Sequence, residues 1–483
     1  MNFQSADFII FFTVFFFLFW TVAEKIVLRN ILMLGAGMFL YSLWDYRFFL
    51  LLMFQILLNY LSGKYISKDS KQGKAVFYSA VVLNLLPLIF FKYWNFFIVN
   101  INDLSSIFGL NVDLTTFKLL LPFGISFYTF LSLSYIIDIY KKQISPEKSL
   151  INYAVSISYF PIILSGPIHR PRIFLEQLKE KKRFEYSLAA EGLRQILTGL
   201  FYKIVIADTI AKHADKVFGD YDSFSGLTLL TGSVYFSFQL YFDFNGYSEM
   251  AIGISKLLGF RIERNFKFPY LSRTITDFWK RWHISLTQWF RDYIFLPLSY
   301  SLSRKVKQGS VFDSDMFIYS SGIFFTWALT GFWHGAGWTF ILWGMTHAVL
   351  LIINKGFFKR KKRILKKLGL KKDSMSVVVY ESVLTFALVN FAWIFFRSET
   401  PGKGFEIIGC ILNVTEWSIP EVSFMPLFLI AFVLLLEFLQ SGKEFLFEIL
   451  GFNIVYRWLV YITVLIAVLY FSGNDSTFIY AGF

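Results

Sequence analysis

The chain has 483 residues, of which 56% are hydrophobic and only 17% are charged, so it lacks the polar surface that a soluble globule of this length needs. Its net charge of +14 comes from blocks of Lys and Arg that lie between apolar runs. Membrane proteins carry such blocks in their cytoplasmic loops, so the charge does not indicate a nucleic-acid partner. Composition therefore excludes a soluble protein and predicts one that crosses a membrane many times.

Apolar runs that approach the ~20 residues a helix needs to cross a bilayer recur along the whole chain. The predicted spans are 8–23, 30–44, 47–62, 75–97, 117–140, 188–210, 224–243, 316–334, 338–354, 375–396, 425–440 and 456–472. No Lys or Arg precedes the first run and no small-residue cleavage site follows it, so we expect it to remain as a helix. We predict an all-α polytopic protein with about 11–13 transmembrane helices.

The basic blocks predict the orientation of the chain, because cytoplasmic loops are enriched in Lys and Arg. These blocks are 64–74, 141–148, 169–183, 303–307 and 355–372. The loops 98–116 and 413–424 and the tail 473–483 are nearly free of Lys and Arg, so we expect them, and both termini, outside. The sequence has no fixed-period repeat and no low-complexity linker, which predicts one membrane-embedded domain over 1–483.

The segment 150–168 lies between two basic blocks and contains Pro161, Gly166 and Pro167. If it crossed the membrane completely, the basic residues after it would lie outside. We interpret it as re-entrant, and a full crossing is the alternative. Broken helices at membrane depth are tolerated where they are buried in protein or line a wet cavity, so this segment predicts a cavity.

His334 is the first candidate catalytic residue, because an ionisable group at membrane depth is usually functional. It lies in the motif Gly331-Phe-Trp-His-Gly-Ala-Gly-Trp338, inside an apolar stretch long enough for two spans. The three glycines allow a close approach of backbone or ligand. We therefore expect His334 at a junction or a helix break, and the alternative is a histidine that only packs in the core.

His283 is the second candidate, within Thr276-Asp-Phe-Trp-Lys-Arg-Trp-His-Ile-Ser285. Helical spacing places Trp279, His283, Leu286 and Phe290 on one face and makes Asp277 and Arg281 an i,i+4 pair, so we predict one amphipathic helix near the cytoplasmic surface. The candidate donor-binding residues are Lys280, Arg281, Arg291, Trp279 and Trp282. The cations suit phosphate groups, although arginines beside tryptophans also snorkel at membrane interfaces.

Asp243, Asn245 and Glu249 lie at the end of an apolar run, where unpaired carboxylates are expensive. We expect structural partners for the two acids. The cations considered as partners are Arg261, Arg264, Arg273 and Lys280. Two histidines and a single cysteine, Cys410, fall short of a usual zinc site, so no metal is predicted.

Several motifs occur in the order typical of one enzyme family. They are Met1–Ser5, Arg29–Leu32, Leu121–Phe130, Tyr159–Pro167, Tyr241–Gly253, Asn265–Tyr270, Asp277–Leu286, Trp289–Tyr293 and Gly331–Trp338. With them the chain resembles the membrane-bound O-acyltransferase (MBOAT) family, in its bacterial branch of alginate and peptidoglycan O-acetyltransferases. The resemblance covers about residues 1–354, with a motif-bearing core of about 117–354. From 375 to 483 only the hydropathy is similar.

The resemblance implies a ring of helices around a central funnel in the bacterial cell membrane. It makes His334 the catalytic histidine and His283 the second polar residue, with Asp243, Asn245, Glu249 and Asp277 as supporting residues. Acetyl-CoA is the implied donor substrate, with no bound cofactor. The implied partners are an SGNH-type extracytoplasmic acetyltransferase or another polysaccharide-modifying protein, and membrane lipids. Asn245 stands where the family commonly has Ser.

Buried neutral histidine suits a general base toward a hydroxyl that attacks a thioester, and transient acylation of His334 is the alternative route. Three functions remain open at this point. They are acetyl transfer for a cell-surface or exported polysaccharide, D-alanyl transfer to teichoic acid from a carrier-protein thioester, and a transporter without covalent chemistry.

Overall fold

The computed structural model describes residues 3–66, 68, 70–110, 112–306, 314–440, 442–449 and 451–473, and these contain helices and turns but no strand. The helices are α1 Ala6–Val22, α2 Ile26–Trp44, α3 Tyr46–Ile66, α4 Lys71–Leu88, α5 Trp94–Ile107, α6 Ile125–Tyr140, α7 Leu150–Ser158, α8 Pro171–Lys179, α9 Tyr186–Leu200, α10 Asp208–Gly219, α11 Gly226–Leu257, α12 Ile275–Arg281, α13 Ile284–Phe290, α14 Leu296–Lys305, α15 Asp315–His334, α16 Trp338–Lys367, α17 Met375–Arg397, α18 Pro401–Leu412, α19 Met425–Leu439 and α20 Ile454–Phe471. Three π-helical segments, Ile89–Tyr93, Phe201–Ala207 and Arg291–Phe295, continue or join these helices. The predicted all-α class is confirmed.

Within the described ranges, six helical segments are long and apolar enough to cross a membrane. They are Ile26–Leu43, Tyr46–Ile66, Lys71–Ile107, Trp338–Phe358, Met375–Arg397 and Ile454–Phe471. Shorter apolar helices are Ala6–Val22, Ile125–Tyr140 and Met425–Leu439. A polytopic membrane protein is thus confirmed, whereas the expected total of about 11–13 crossings stays a prediction.

Helix α5 continues to Ile107, so the prediction of a loop beginning at residue 98 is wrong. The reason is visible in the sequence, because Ile98, Ile101 and Leu104 recur at a spacing of three and extend the apolar face of the helix. The predicted external tail falls almost entirely on residues 474–483, which lie outside the described residues.

The chain divides into two compact units, Met1–Ile196 with Met250–Glu263, and Leu197–Glu249 with Arg264–Phe483. In the first unit, α7 has nine residues and is about 14 Å long at 1.5 Å per residue, too short to cross a bilayer. The chain then passes through turns at residues 159–170 before α8 begins. The segment 150–168 is therefore a broken helix in this structure, as the re-entrant interpretation requires.

Arg29 holds α8, the helix that follows this broken segment, within the first unit. Its guanidinium is fully buried and donates hydrogen bonds of 2.6 Å to the carbonyl oxygens of Leu178 and Glu180, at the C-terminus of α8. The last carbonyls of a helix have no intrahelical partner, and a cation is favoured at that end of the helix dipole. Arg29 thus caps α8 and ties it to α2.

Candidate active site

His334 is positioned by a tight hairpin of α15 and α16 in the second unit. It is the last residue of α15, Gly335 is extended, and α16 begins at Trp338. A Cβ atom at Gly331 would collide with the backbone oxygen of Phe340, and one at Gly344 would collide with the backbone oxygen of Trp327. Only glycine permits this approach of the two backbones. The predicted helix break beside His334 is confirmed.

Aromatic rings enclose the His334 imidazole, which is only 4% exposed. Its ring centroid lies 4.8 Å from Trp333, 5.0 Å from Trp343 and 5.3 Å from Phe396, and all three rings meet it nearly edge-on. These rings come from the ends of α15, α16 and α17. They exclude most water from the imidazole, which strengthens any electrostatic interaction made there.

His283 lies at a sharp break between α12 and α13, so the predicted single amphipathic helix through Thr276–Ser285 is wrong. His283 has φ 41° and ψ 54°, a left-handed conformation that is uncommon for a residue with a side chain. Trp282 before it is extended. Such backbone strain persists only where the surroundings impose it, and it concentrates at functional sites.

Asn265 holds this conformation through two hydrogen bonds and is itself anchored by a third. Its backbone oxygen accepts from the Ile284 amide at 2.8 Å, and its side-chain oxygen accepts from the Ser285 hydroxyl at 2.6 Å. Its side-chain nitrogen donates to the Ser248 hydroxyl at 3.1 Å. The helical periodicity of 276–285 is real, but this pairing with the preceding loop overrides it.

The two predicted catalytic histidines share one neighbour, Trp333. The indole centroid lies 4.8 Å from His334 and 6.5 Å from His283. Phe244 covers His283 from another side, at 4.7 Å. Burial lowers the pKa of His283 to about 3, so its imidazole is neutral at physiological pH. The structure therefore brings together both candidates, which are separated by 50 residues in sequence, at one aromatic site.

A third histidine, His347, for which the sequence predicted no role, extends this aromatic cluster. It is fully buried on α16, one turn after Trp343, and its ring lies 5.0 Å from that indole. The Trp279 indole donates to its Nδ1 at 3.3 Å. The signal was the i,i+4 spacing of Trp343 and His347, which places both on one face of the helix.

The residues predicted to bind the donor fall into two groups. Trp279 and Trp282 are buried in the core of the second unit. The cations are at the surface, where Lys280 is exposed, Arg281 pairs with Asp277 at 3.0 Å, and Arg291 pairs with Asp292 at 2.9 Å. The expected Asp277–Arg281 pair is therefore present. Contact of these cations with a donor stays a prediction.

Asp243 has a buried ionic partner that was not predicted from the sequence. Lys203 lies 2.8 Å from Asp243 and 2.7 Å from Asp208, so the expectation of an arginine or Lys280 as its partner is wrong. The close approach of Gly246 to the backbone of Gly199 and Lys203 places these side chains together. Glu249 is also buried, and Asn245 donates to the Tyr241 hydroxyl at 3.4 Å.

Within the described ranges, no group of three or more His, Cys, Asp or Glu side chains has an arrangement that could hold a metal ion. The His334 imidazole lies in an apolar, aromatic enclosure. Such a group accepts a proton from a hydroxyl or attacks a carbonyl carbon itself.

Comparison with known proteins identifies the family. The family model of the membrane-bound O-acyltransferases matches residues 31–389, which include both histidines. The chain is 34% identical over 427 residues to the Probable alginate O-acetylase AlgI of Pseudomonas aeruginosa, covering 88% of this chain and 77% of that protein. It is 29% identical over 436 residues to the peptidoglycan O-acetyltransferase of Helicobacter pylori, covering 84% and 78%. The teichoic acid D-alanyltransferase of Bacillus subtilis is 29% identical over 356 residues, covering 71% and 83%. The chain therefore belongs to the membrane-bound O-acyltransferase family and is an O-acyltransferase.

Proposed function

We propose that this enzyme takes the acetyl group of cytosolic acetyl-CoA and passes it across the bacterial cell membrane for O-acetylation of a cell-surface or exported polysaccharide. The observation that carries the proposal is the aromatic site in which His334 and His283 flank Trp333. The names of two relatives support the chemistry, since one is an alginate O-acetylase and the other a peptidoglycan O-acetyltransferase.

In the proposed reaction, the neutral imidazole of His334 accepts the proton of the acceptor hydroxyl as its oxygen attacks the thioester carbonyl. An ester bond forms, the carbon–sulfur bond breaks, and the imidazolium returns its proton to the leaving thiolate. The aromatic enclosure limits competing hydrolysis because it excludes water from the carbonyl. In the alternative route, His334 is acylated first and the hydroxyl attacks the acyl-imidazole.

The distribution of charge supports the direction of transfer. The exposed cations Lys280 and Arg291 precede and follow the His283 break, respectively, and basic residues are typical of the cytoplasmic side, where acetyl-CoA is found. With the donor entering from the cytoplasm and both termini outside, the acetyl group leaves on the external face. An extracytoplasmic SGNH-type acetyltransferase then delivers it to the glycan.

The test incubates membranes containing the enzyme with acetyl-CoA labelled in its acetyl group, together with the presumed partner and candidate glycans. We expect label in an alkali-labile ester on the glycan or the partner. A parallel reaction supplies a D-alanyl-charged carrier protein, because the similarity to a teichoic acid D-alanyltransferase makes this the second candidate function. Transfer from the carrier alone would contradict the proposal.

A further inference from the structure

Glu437 is a buried carboxyl group on α19, whose other residues are all apolar. Its side chain is 0% exposed. The hydroxyl groups of Tyr241 and Tyr202 both donate to its Oε1, at 2.8 Å and 3.1 Å. Burial of a carboxyl group in an apolar helix is costly, and such groups are retained where they have a function.

The second carboxyl oxygen, Oε2, has no hydrogen bond to any described residue. An unsatisfied buried acceptor destabilises the fold, so Oε2 itself gives no stabilisation in this arrangement. The two phenols instead converge on one oxygen, which fixes the orientation of both rings. This geometry indicates that the carboxyl group controls the orientation of the two tyrosines.

Tyr241 connects Glu437 to the candidate active site. Its ring lies 6.0 Å from Trp282, the residue before His283, and 5.7 Å from Phe266. Phe266 in turn lies 5.1 Å from Trp282 and 6.5 Å from His283. The Tyr241 ring therefore forms part of the wall that holds the strained backbone at His283.

We propose that Glu437 is a positioning residue for acyl transfer, which acts through Tyr241 to hold the Trp282–His283 break in its productive conformation. The inference rests on the proposed function, in which His283 belongs to the active site. It also gives a role to α19, which lies beyond the residues 31–389 that the family model matches. Helix α19 would then help to position residues of the active site.

The test compares three variants in a transfer assay that reports kcat and KM for the acyl donor, with thermal unfolding in parallel. Glu437→Gln retains an oxygen that accepts from both tyrosines, so we expect kcat within about twofold of the unchanged enzyme. Glu437→Leu removes the acceptor, and we expect kcat to fall on the order of tenfold or more with KM little changed. The triple variant Glu437→Leu, Tyr202→Phe, Tyr241→Phe also removes the two tyrosine hydroxyl groups that would otherwise lose their acceptor.

We expect the triple variant to regain thermal stability but not kcat, because the directional hydrogen bonds are still missing. Recovery of kcat in the triple variant, or a loss in Glu437→Gln as large as in Glu437→Leu, would overturn the inference. His334→Ala is measured in the same assay. If His334→Ala keeps full activity, the assignment of His334 fails, whereas the comparison of the Glu437 variants still stands by itself.

Discussion

The Ser285 hydroxyl donates a 2.6 Å hydrogen bond to the side-chain oxygen of Asn265. Ser285 lies two residues after His283, and Asn265 is fully buried. Through this bond the motif Asn265–Tyr270 holds the backbone break in the motif Asp277–Leu286. The two segments are separate motifs in the sequence, but they form one structural unit in the fold.

Asn265→Ala removes the acceptor of Ser285 and the donor to Ser248. We expect the free energy of unfolding to fall by about 1–3 kcal/mol, because buried hydrogen-bonding groups are left unsatisfied, and transfer activity to fall as the His283 break relaxes. Thermal unfolding in detergent and the transfer assay measure the two effects. Asn102→Ala is the matched control, since Asn102 makes two hydrogen bonds to the Leu114 backbone at an exposed site. Equal losses in both variants would argue against the role of Asn265.

Gly344→Ala tests the close approach of α15 and α16. The added Cβ would meet the backbone oxygen of Trp327, which cannot move without separating the helices. We expect a loss of about 1–3 kcal/mol in the free energy of unfolding, and we also expect transfer activity to fall, because the hairpin positions His334.

The matched control is Gly35 in α2, where no atom lies within 4 Å of such a Cβ. Gly35→Ala should therefore leave stability unchanged or raise it by about 0.5–1 kcal/mol. Tolerance of both substitutions would contradict the packing described.

Lys203→Met tests the buried ion cluster. The Lys203 side chain is 5% exposed, and its removal leaves Asp208 and Asp243 buried without their shared cation. We expect a loss on the order of 3–5 kcal/mol, measured as reduced yield of folded protein and a lower unfolding temperature. Lys256→Met removes the more exposed pair with Glu191 and should cost less than about 1 kcal/mol. A Lys203 variant as stable as the Lys256 variant would show that the cluster contributes little.

His283 predicts a pH dependence of stability. Burial lowers its pKa from about 6.5 to about 3, so the folded state binds fewer protons than the unfolded state between these values. The stabilisation is complete above about pH 6.5 and is lost as the pH falls toward 3. Between about pH 7.5 and pH 5, we expect the unchanged enzyme to lose about 2 kcal/mol more stability than His283→Gln. If both proteins lost the same stability between the two pH values, the result would contradict a buried neutral His283.

The features that depend on composition or on neighbouring residues in the chain could be predicted from the sequence. Apolar length predicted the helices that carry the candidate spans, and the glycines around His334 predicted the helix break, because both properties are local. The family motifs indicated His334 and His283 as candidate catalytic residues, and their roles stay a prediction. The contact of both histidines with Trp333 then follows once the two motifs pack against each other.

The features that sequence reasoning missed depend on contacts between distant segments. The break at His283 arises from pairing with Asn265, so the local helical periodicity gave the wrong structure. The partner of Asp243 is Lys203, 40 residues earlier, and nothing in the sequence between them indicates the pairing. Glu437 was overlooked because the C-terminal region carries no motif, and its partners come from α11 and from the π-helical segment Phe201–Ala207.

The most direct test of the account is acyl transfer by His334→Ala, measured with labelled acetyl-CoA and compared with His213→Ala. His213 lies on α10 and its ring contacts Tyr235 at 6.1 Å, outside the aromatic enclosure of His334. We expect the His334 variant to insert and fold normally but to transfer no label above background, whereas the His213 variant keeps most of its activity. Transfer by His334→Ala at the rate of the unchanged enzyme would contradict the assignment of this site.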